Sequence, residues 1–353
     1  MHKSENANSK LNVLITGASG NVGIDVFRKL LSKTSQINLR VFARGSNKNK
    51  KLFKPFLDKI EVVWGDILDY SAARRAIEGQ DIVIHLAGII PPDCYEDNDY
   101  TYDVNVNGAR NILKAMQESR GEPKIIYASS LAVYGDRIND PYIEKNDPLR
   151  PNDIYGYTKV KAENLIRASS LDYLILRLSY CASIRTLRFN PVLFLMPLDT
   201  PLETIDTRDI GTAISNALFC KEIWNNTYNL AGGEDCRITY REHLDDLFKI
   251  MGCGGNIIPE EKFNKEDYYI GYCDTSEVQE LLNYQHHDLN DYYEIAKEWI
   301  GIKRYFTPLV KPFVKWYLLW MLKKSKIKEK FQKSQKKLKR TRKLIYEQKE
   351  VKI

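Results

Sequence analysis

Ser130, Tyr155 and Lys159 have the types and spacing for proton transfer, and a glycine loop near the amino end has the form of a phosphate cradle. Ser130 lies in KIIYASSLAVYG (124–135), and Tyr155 and Lys159 lie in IYGYTKVKAE (154–163). A free phenol ionises near pH 10 and is a poor base at neutrality. A lysine four residues on sits one helical turn away on the same face, and its charge would favour the phenolate. Ser130 would hydrogen-bond a substrate oxygen while Tyr155 removes or returns a proton. With 22 tyrosines in the chain a Tyr-x-x-x-Lys spacing arises by chance, and Tyr157 is a nearby decoy, so the joint pattern carries the reading.

The loop is Thr16-Gly17-Ala18-Ser19-Gly20-Asn21-Val22-Gly23, between the strand-like LNVLIT and an amphipathic stretch. In that context Gly17 permits the tight turn, Gly20 lets the backbone approach a diphosphate, and Gly23 lets helix and strand pack closely. The helix N-terminus adds free N–H groups and a positive dipole end. A nicotinamide dinucleotide fits this cradle, and its oxidised ring would add a second positive charge near Tyr155. Ala43-Arg44-Gly45 follows the second strand without an acid, which favours NADP over NAD, since a guanidinium clamps a 2′-phosphate. Arg40 is the alternative clamp.

These residues need a scaffold, and the hydrophobic pattern supplies one. Strand-like runs at 11–16, 39–44, 60–67, 81–88, 124–130 and 173–179 alternate with helical spacings at 24–32, 71–78, 103–119 and 155–169. Such alternation implies an α/β, Rossmann-type, doubly wound parallel sheet. The predicted division is a dinucleotide-binding domain over 1–179, a small substrate-binding lobe interleaved with it over 180–310, and an amphipathic, basic tail over 311–353. In the lobe, 209–220, 240–251, 271–283 and 291–300 read as helices, with NTYNLA as a strand.

The net charge of +7 conceals two parts. Residues 311–353 hold 16 Lys or Arg against 3 Glu, leaving 37 basic and 43 acidic residues before them, a mildly acidic body with a basic extension. Six scattered cysteines without a Cys-x-x-Cys pair fit neither a disulfide framework nor a zinc site, and no metal is expected. A polar start and the lack of a spanning apolar run predict a cytoplasmic protein.

GAxGxxG spacing, WGDI, HLAG, VNVNG, SSLAVYG and YGYTK, in this order, resemble the extended short-chain dehydrogenase/reductases, the NAD-dependent epimerase/dehydratase family. The resemblance covers roughly 11–300. It implies adenosine contacts from Asp66 and Ile67, and a cofactor passage along Leu86, Ala87 and Gly88. It also implies an active-site or structural role for Asn105, and Ser130, Tyr155 and Lys159 as the catalytic set. The implied substrate class is a nucleotide sugar, turned over by an epimerase, dehydratase or reductase. The chain departs from the pattern after its sixth strand. Tyr180 replaces the usual asparagine, Leu202 replaces a diphosphate-holding arginine, and NPVLFLMPLDTP offers few donors beyond Arg185 and Arg188. A smaller or less charged carbonyl substrate is the alternative, and a non-catalytic cofactor-binding scaffold a third reading. His85 reads as a strand residue beside the cofactor, and His286-His287 as surface residues.

In the tail, PFVKWYLLWML (312–322) suits an interfacial helix with Trp and Tyr at headgroup depth, peripheral to the inner face of a membrane. The lysines behind it would be drawn to anionic lipid, and Ile327, Phe331, Leu338 and Ile345 form a thin apolar stripe. Packing on the body or on the partner of a homodimer is equally compatible. Nucleic acid comes third, since no recognition motif accompanies the charge.

Overall fold

The computed structural model describes residues 10–187, 190–265 and 268–350, with side chains to 338. Its centre is a seven-stranded sheet formed by β1 (Leu11–Thr16), β2 (Ile37–Ala43), β3 (Ile60–Trp64), β4 (Ile82–His85), β5 (Lys124–Ser130), β7 (Tyr173–Leu178) and β10 (Asn226–Leu230). The order is β10-β7-β5-β4-β1-β2-β3, and every pairing is parallel. Helices α1 (Gly23–Leu31), α2 (Asn47–Phe53), α7 (Thr207–Ala217) and α9 (Ser276–Leu282) pack on one face. Helices α3 (Tyr70–Ile77), α5 (Gly108–Glu118) and α6 (Ile154–Arg167) pack on the other. Burial on both faces explains why the strands read as continuous apolar runs rather than as alternating ones.

Expected strands and helices appear with shifted ends. The helix expected from Asp103 begins as α4 (Asn98–Tyr102), passes through a π-helical turn at Asp103–Asn107 and continues as α5. Such a turn re-aims a side chain within a helix; here it holds Asn105.

A second core lies beside the carboxyl edge of the sheet, and Tyr155 belongs to it. Strands β8 (Tyr180–Ala182), β9 (Pro201–Asp206) and β11 (Arg237–Thr239) form a small mixed sheet, and β6 (Tyr142–Ile143) pairs with β12 (Tyr272–Cys273). Around them pack α8 (Tyr240–Ile250), α10 (Leu289–Ile300), α11 (Lys303–Ser325) and α12 (Ile327–Glu350). The aromatic stretch of the tail lies within α11, which starts at Lys303. The thin stripe of α12 is not a free face, because Ile327 and Phe331 belong to the second core and Leu338 is buried as well. The side chain of Ile345 lies outside the described residues. Among the described residues no helix is long and apolar enough to cross a membrane.

Candidate active site

Ser130 ends β5, where the chain leaves the sheet, and its Oγ accepts from the Ala132 amide at 3.2 Å. Helix α6 begins against this turn so closely that a Cβ on Gly156 would stand 2.2 Å from the Ala132 carbonyl oxygen. Its N-cap is Asp153, fully buried, which accepts from the Gly156 amide at 2.8 Å and from the Tyr95 hydroxyl at 2.5 Å. Burial raises the Asp153 carboxyl, and these hydrogen bonds oppose the shift. The cap sets Tyr155 in the first turn of α6, where Ser130 is the neighbour that stabilises its ionised form.

Lys159, one turn on, donates to the Ala128 carbonyl at 2.7 Å. Its ammonium lies 5.7 Å from the Tyr155 ring centroid and 4.8 Å from that of Tyr127. Burial lowers the ammonium to about 8, opposed by Glu163. The three residues expected to act together are together. Burial raises the Tyr155 phenol, and Ser130 opposes the shift. Tyr157 and Lys161 repeat the four-residue spacing, so spacing does not dismiss them. Placement does, because Tyr157 is half-buried beside Tyr102 and Lys161 lies over its ring.

Asn105 touches protein groups at both ends of its amide: Oδ1 accepts from the Ile89 amide at 2.7 Å, and Nδ2 donates to the Ile89 carbonyl and to Thr158 Oγ1, each at 3.0 Å. It ties the exit of β4 to α6. Behind the set lies a buried network that the sequence reading missed. Glu163 accepts from Ser129 Oγ at 2.6 Å, from Arg177 Nε and Nη2 at 3.0 and 2.8 Å, and from Arg167 at 2.8 Å. Burial would raise its carboxyl, but the Arg177 hydrogen bonds and charge outweigh it and hold it low. Arg177 also reaches the Tyr134 hydroxyl at 2.7 Å, so β5, α6 and β7 are locked together behind Tyr155. Glu163, four residues past Lys159, and Arg177, a charge inside YLILRLS, were the available signals.

The cradle faces this set across the carboxyl edge of the sheet. Gly17 has φ +72°, and a Cβ there would meet the Ala87 nitrogen at 2.6 Å; one on Gly23 would meet the Gly17 carbonyl oxygen at 2.0 Å. Gly20 donates to the Gly17 carbonyl at 2.9 Å and is exposed. Val22 gives α1 no side-chain cap, and the amides of Ile24 and Asp25 donate to the carbonyls of Gly20 and Val22, each at 3.1 Å, so a ligand meets the start of the helix ahead of Ile24. Ser19 is half-buried, and the buried Oδ1 of Asn21 has no partner among the described residues. A Cβ on the exposed Gly88 would come within 3.0 Å of Asn105 Oδ1 and 3.8 Å of Lys159 Nζ, so the strip Leu86-Ala87-Gly88 runs from cradle to lysine. Asp66, half-buried, accepts from the Leu68 amide at 3.0 Å, and Ile67 packs on Gly108. These features fit a dinucleotide laid from the close of β2 to Lys159.

Several sequence expectations change here. Arg40 is no candidate clamp, because it is held by Glu61 and the carbonyls of Ala76 and Glu78; Arg44 is exposed at the strand end. Arg185 is not a free substrate donor, because it pairs with Asp25 and reaches the Asn21 carbonyl at 3.1 Å. Arg188 lies outside the described residues. His287 is no idle surface residue: its Nδ1 lies 2.6 Å from Asp209 Oδ1, whereas His286 is exposed. His85 is a buried strand residue bonded to Thr16 at 2.8 Å, and burial lowers it to about 3. The segment after Tyr180 turns inward, with Phe194, Leu195, Met196 and Leu202 buried in the second core and Tyr180 pushed up to about 12 by burial. No His, Cys, Asp and Glu cluster among the described residues has the form of a metal site.

A family model described as the NAD dependent epimerase/dehydratase family matches residues 13–191. Among curated proteins the chain is 37% identical over 156 residues to the N-acetyl-alpha-D-glucosaminyl-diphospho-ditrans,octacis-undecaprenol 4-epimerase of Escherichia coli O157:H7, a match covering 44% of this chain and 43% of that enzyme. The chain therefore spans less than half the length of that relative. Among solved structures, a short-chain dehydrogenase/reductase superfamily protein from Agrobacterium tumefaciens with bound NAD superposes with TM-score 0.65 at 22% identity, over 85% of this chain and 99% of that one. The UDP-glucose 4-epimerase of Thermotoga maritima with UDP-glucose gives TM-score 0.66 at 17% identity, over 82% and 98%. At such identities these structures speak for the fold alone. With cradle, Ser/Tyr/Lys set and family match in agreement, the chain belongs to the NAD dependent epimerase/dehydratase family.

Proposed function

We propose that this protein moves hydride at a hydroxyl-bearing carbon of a diphosphate-linked sugar. The observation that carries the reading is the convergence of Ser130, Tyr155 and Lys159 at the end of the Leu86–Gly88 strip leading from the glycine loop. When bound, the nicotinamide dinucleotide supplies the hydride acceptor. Tyr155 exchanges the proton of the sugar hydroxyl, and Ser130 holds that oxygen beside the phenol. Lys159, braced on the Ala128 carbonyl, holds its ammonium 5.7 Å from the Tyr155 ring centroid, and with the positive nicotinamide ring it would favour the phenolate.

The diphosphate-sugar class is supported by the family and by the named substrates of the Escherichia coli and Thermotoga maritima enzymes. The carrier is either a nucleoside or a polyprenol. The inward turn of the segment after Tyr180, with Arg185 committed to Asp25, gives a nucleoside few donors and favours the polyprenol. The same apolar turn supports a second reading, reduction of a carbonyl compound that is not a nucleotide. The exposed Arg44 and the lack of an acid beside it favour NADP as the cofactor, and an Arg44→Asp variant should then shift the affinity ratio toward NAD.

The test is turnover of UDP-N-acetylglucosamine and of polyprenyl-diphospho-N-acetylglucosamine, followed by NMR of the products. Tyr155→Phe should lower turnover roughly 10²- to 10⁴-fold with cofactor affinity unchanged. Equal turnover by the variant would overturn the catalytic assignment, and turnover of neither sugar would overturn the substrate class.

A further inference from the structure

Helix α11 has two apolar faces. Val314, Leu318 and Met321 turn toward the core that holds Tyr155. On the opposite side Tyr305, Phe306, Leu309, Phe313, Trp316 and Trp320 recur at helical spacing and stand in solvent, with Leu309 81%, Phe313 63% and Trp316 56% exposed. From Phe306 to Trp320 this stripe runs about 21 Å along the helix. Most of the large apolar side chains left exposed among the described residues lie between Trp299 and Trp320. Soluble monomers rarely expose a patch so continuous unless something docks there.

The surrounding charge identifies the occupant. Between Glu298 and Glu329 the sequence holds eight lysines or arginines and no acid. Lys323 and Lys324 are exposed beyond the aromatic stripe, and the Lys324 ammonium lies 4.9 Å over the Trp320 ring. Tryptophan and tyrosine with a lysine rim match the level of lipid headgroups, where the ring is apolar on one side and wet on the other. A second copy of the chain placed face to face would set lysines against lysines, whereas anionic lipid complements them. We propose that the outward face of α11 docks on the surface of an anionic lipid bilayer, lying in the interface rather than crossing it. The proposal holds whichever sugar is turned over. It places the lobe that packs on Tyr155 at the membrane, since the inner face of α11 and Tyr155 share one core.

The experiment is flotation of the full chain with vesicles of phosphatidylcholine alone or with 30% phosphatidylglycerol. Quenching of tryptophan emission by brominated lipid gives the depth of the rings. The chain should float with the anionic vesicles, float weakly with the neutral ones, and be quenched. Phe306→Glu/Leu309→Glu/Phe313→Glu should abolish flotation, while circular dichroism and cofactor affinity stay as in the parent, because these side chains are exposed. Lys323→Gln/Lys324→Gln should weaken binding to anionic vesicles by roughly an order of magnitude. Absence of flotation by the parent, or flotation of the triple variant equal to it, would overturn the proposal. So would a parent dimer that the triple variant splits without any vesicle binding. Loss of turnover with flotation intact bears on the proposed reaction alone.

Discussion

At the glycine loop the geometry is set by missing side chains, whereas between Tyr180 and Asp209 it is set by charges that find partners. Gly17 and Gly23 admit no Cβ because neighbouring backbone stands 2.6 and 2.0 Å from where it would be. Across the cleft, Arg185 is tied to Asp25, Glu203 to Arg237 at 3.0 Å, and Asp209 to His287. The first region excludes wrong structures by contact and has almost no dependence on pH or salt. The second depends on protonation and desolvation, and so responds to both. The glycine loop can therefore be rigid while the segment from Tyr180 to Asp209 stays electrostatically adjustable.

This contrast can be broken at several points. The largest effect is expected from Gly23→Val, whose side chain has no room beside the Gly17 carbonyl; dinucleotide binding by calorimetry should vanish at every pH and salt concentration. Binding that returned at high salt would place the loop in the electrostatic class instead. Next is Glu163→Gln, which leaves Arg177 buried without its carboxylate and should cost about 3–5 kcal/mol in urea unfolding. The native carboxyl is held low, so its stabilisation is full above the ordinary glutamate range and disappears as pH falls through the folded value. The gap between parent and variant should close in acid.

A smaller effect concerns His243, buried against Tyr293 at 2.9 Å and lowered by burial from 6.5 to about 4. Its folded form binds fewer protons than the unfolded form between those values. Stability should therefore rise with pH across that window and fall on acidification, by up to about 1.4 kcal/mol per pH unit for one such group. His243→Gln should flatten that limb, and an unchanged slope would remove His243 from it. The smallest effect is expected from Arg185→Ala: its side chain is one-third exposed, and the loss should be about 1 kcal/mol or less, shrinking with added salt.

The same contrast explains what could be read from the sequence. The sheet, the cradle and the Ser/Tyr/Lys spacing were legible because period, glycine placement and the one-turn offset each follow from local geometry. The pairing of His287 with Asp209 joins residues 78 apart in the chain, and that of Arg185 with Asp25 joins residues 160 apart. No local rule announces either partner, so both arginine and histidine looked unattached. Arg40 misled for the same reason: its partners at Glu61, Ala76 and Glu78 come from other elements.

Helix α12 closes on the entry of α6. Phe331 lies 5.3 Å from Tyr95 ring to ring, Tyr95 caps Asp153, and Ser334 Oγ accepts from the Ile154 amide at 3.3 Å. Being covalently linked, α12 meets α6 at an effective concentration in the millimolar range. A chain cut after Ser325 should lose turnover along with order at Tyr155, and a free peptide of residues 327–350 should restore it as a saturable activator. Removing the tail is thus expected to disturb the entry of α6 by loss of contact, apart from any effect on docking.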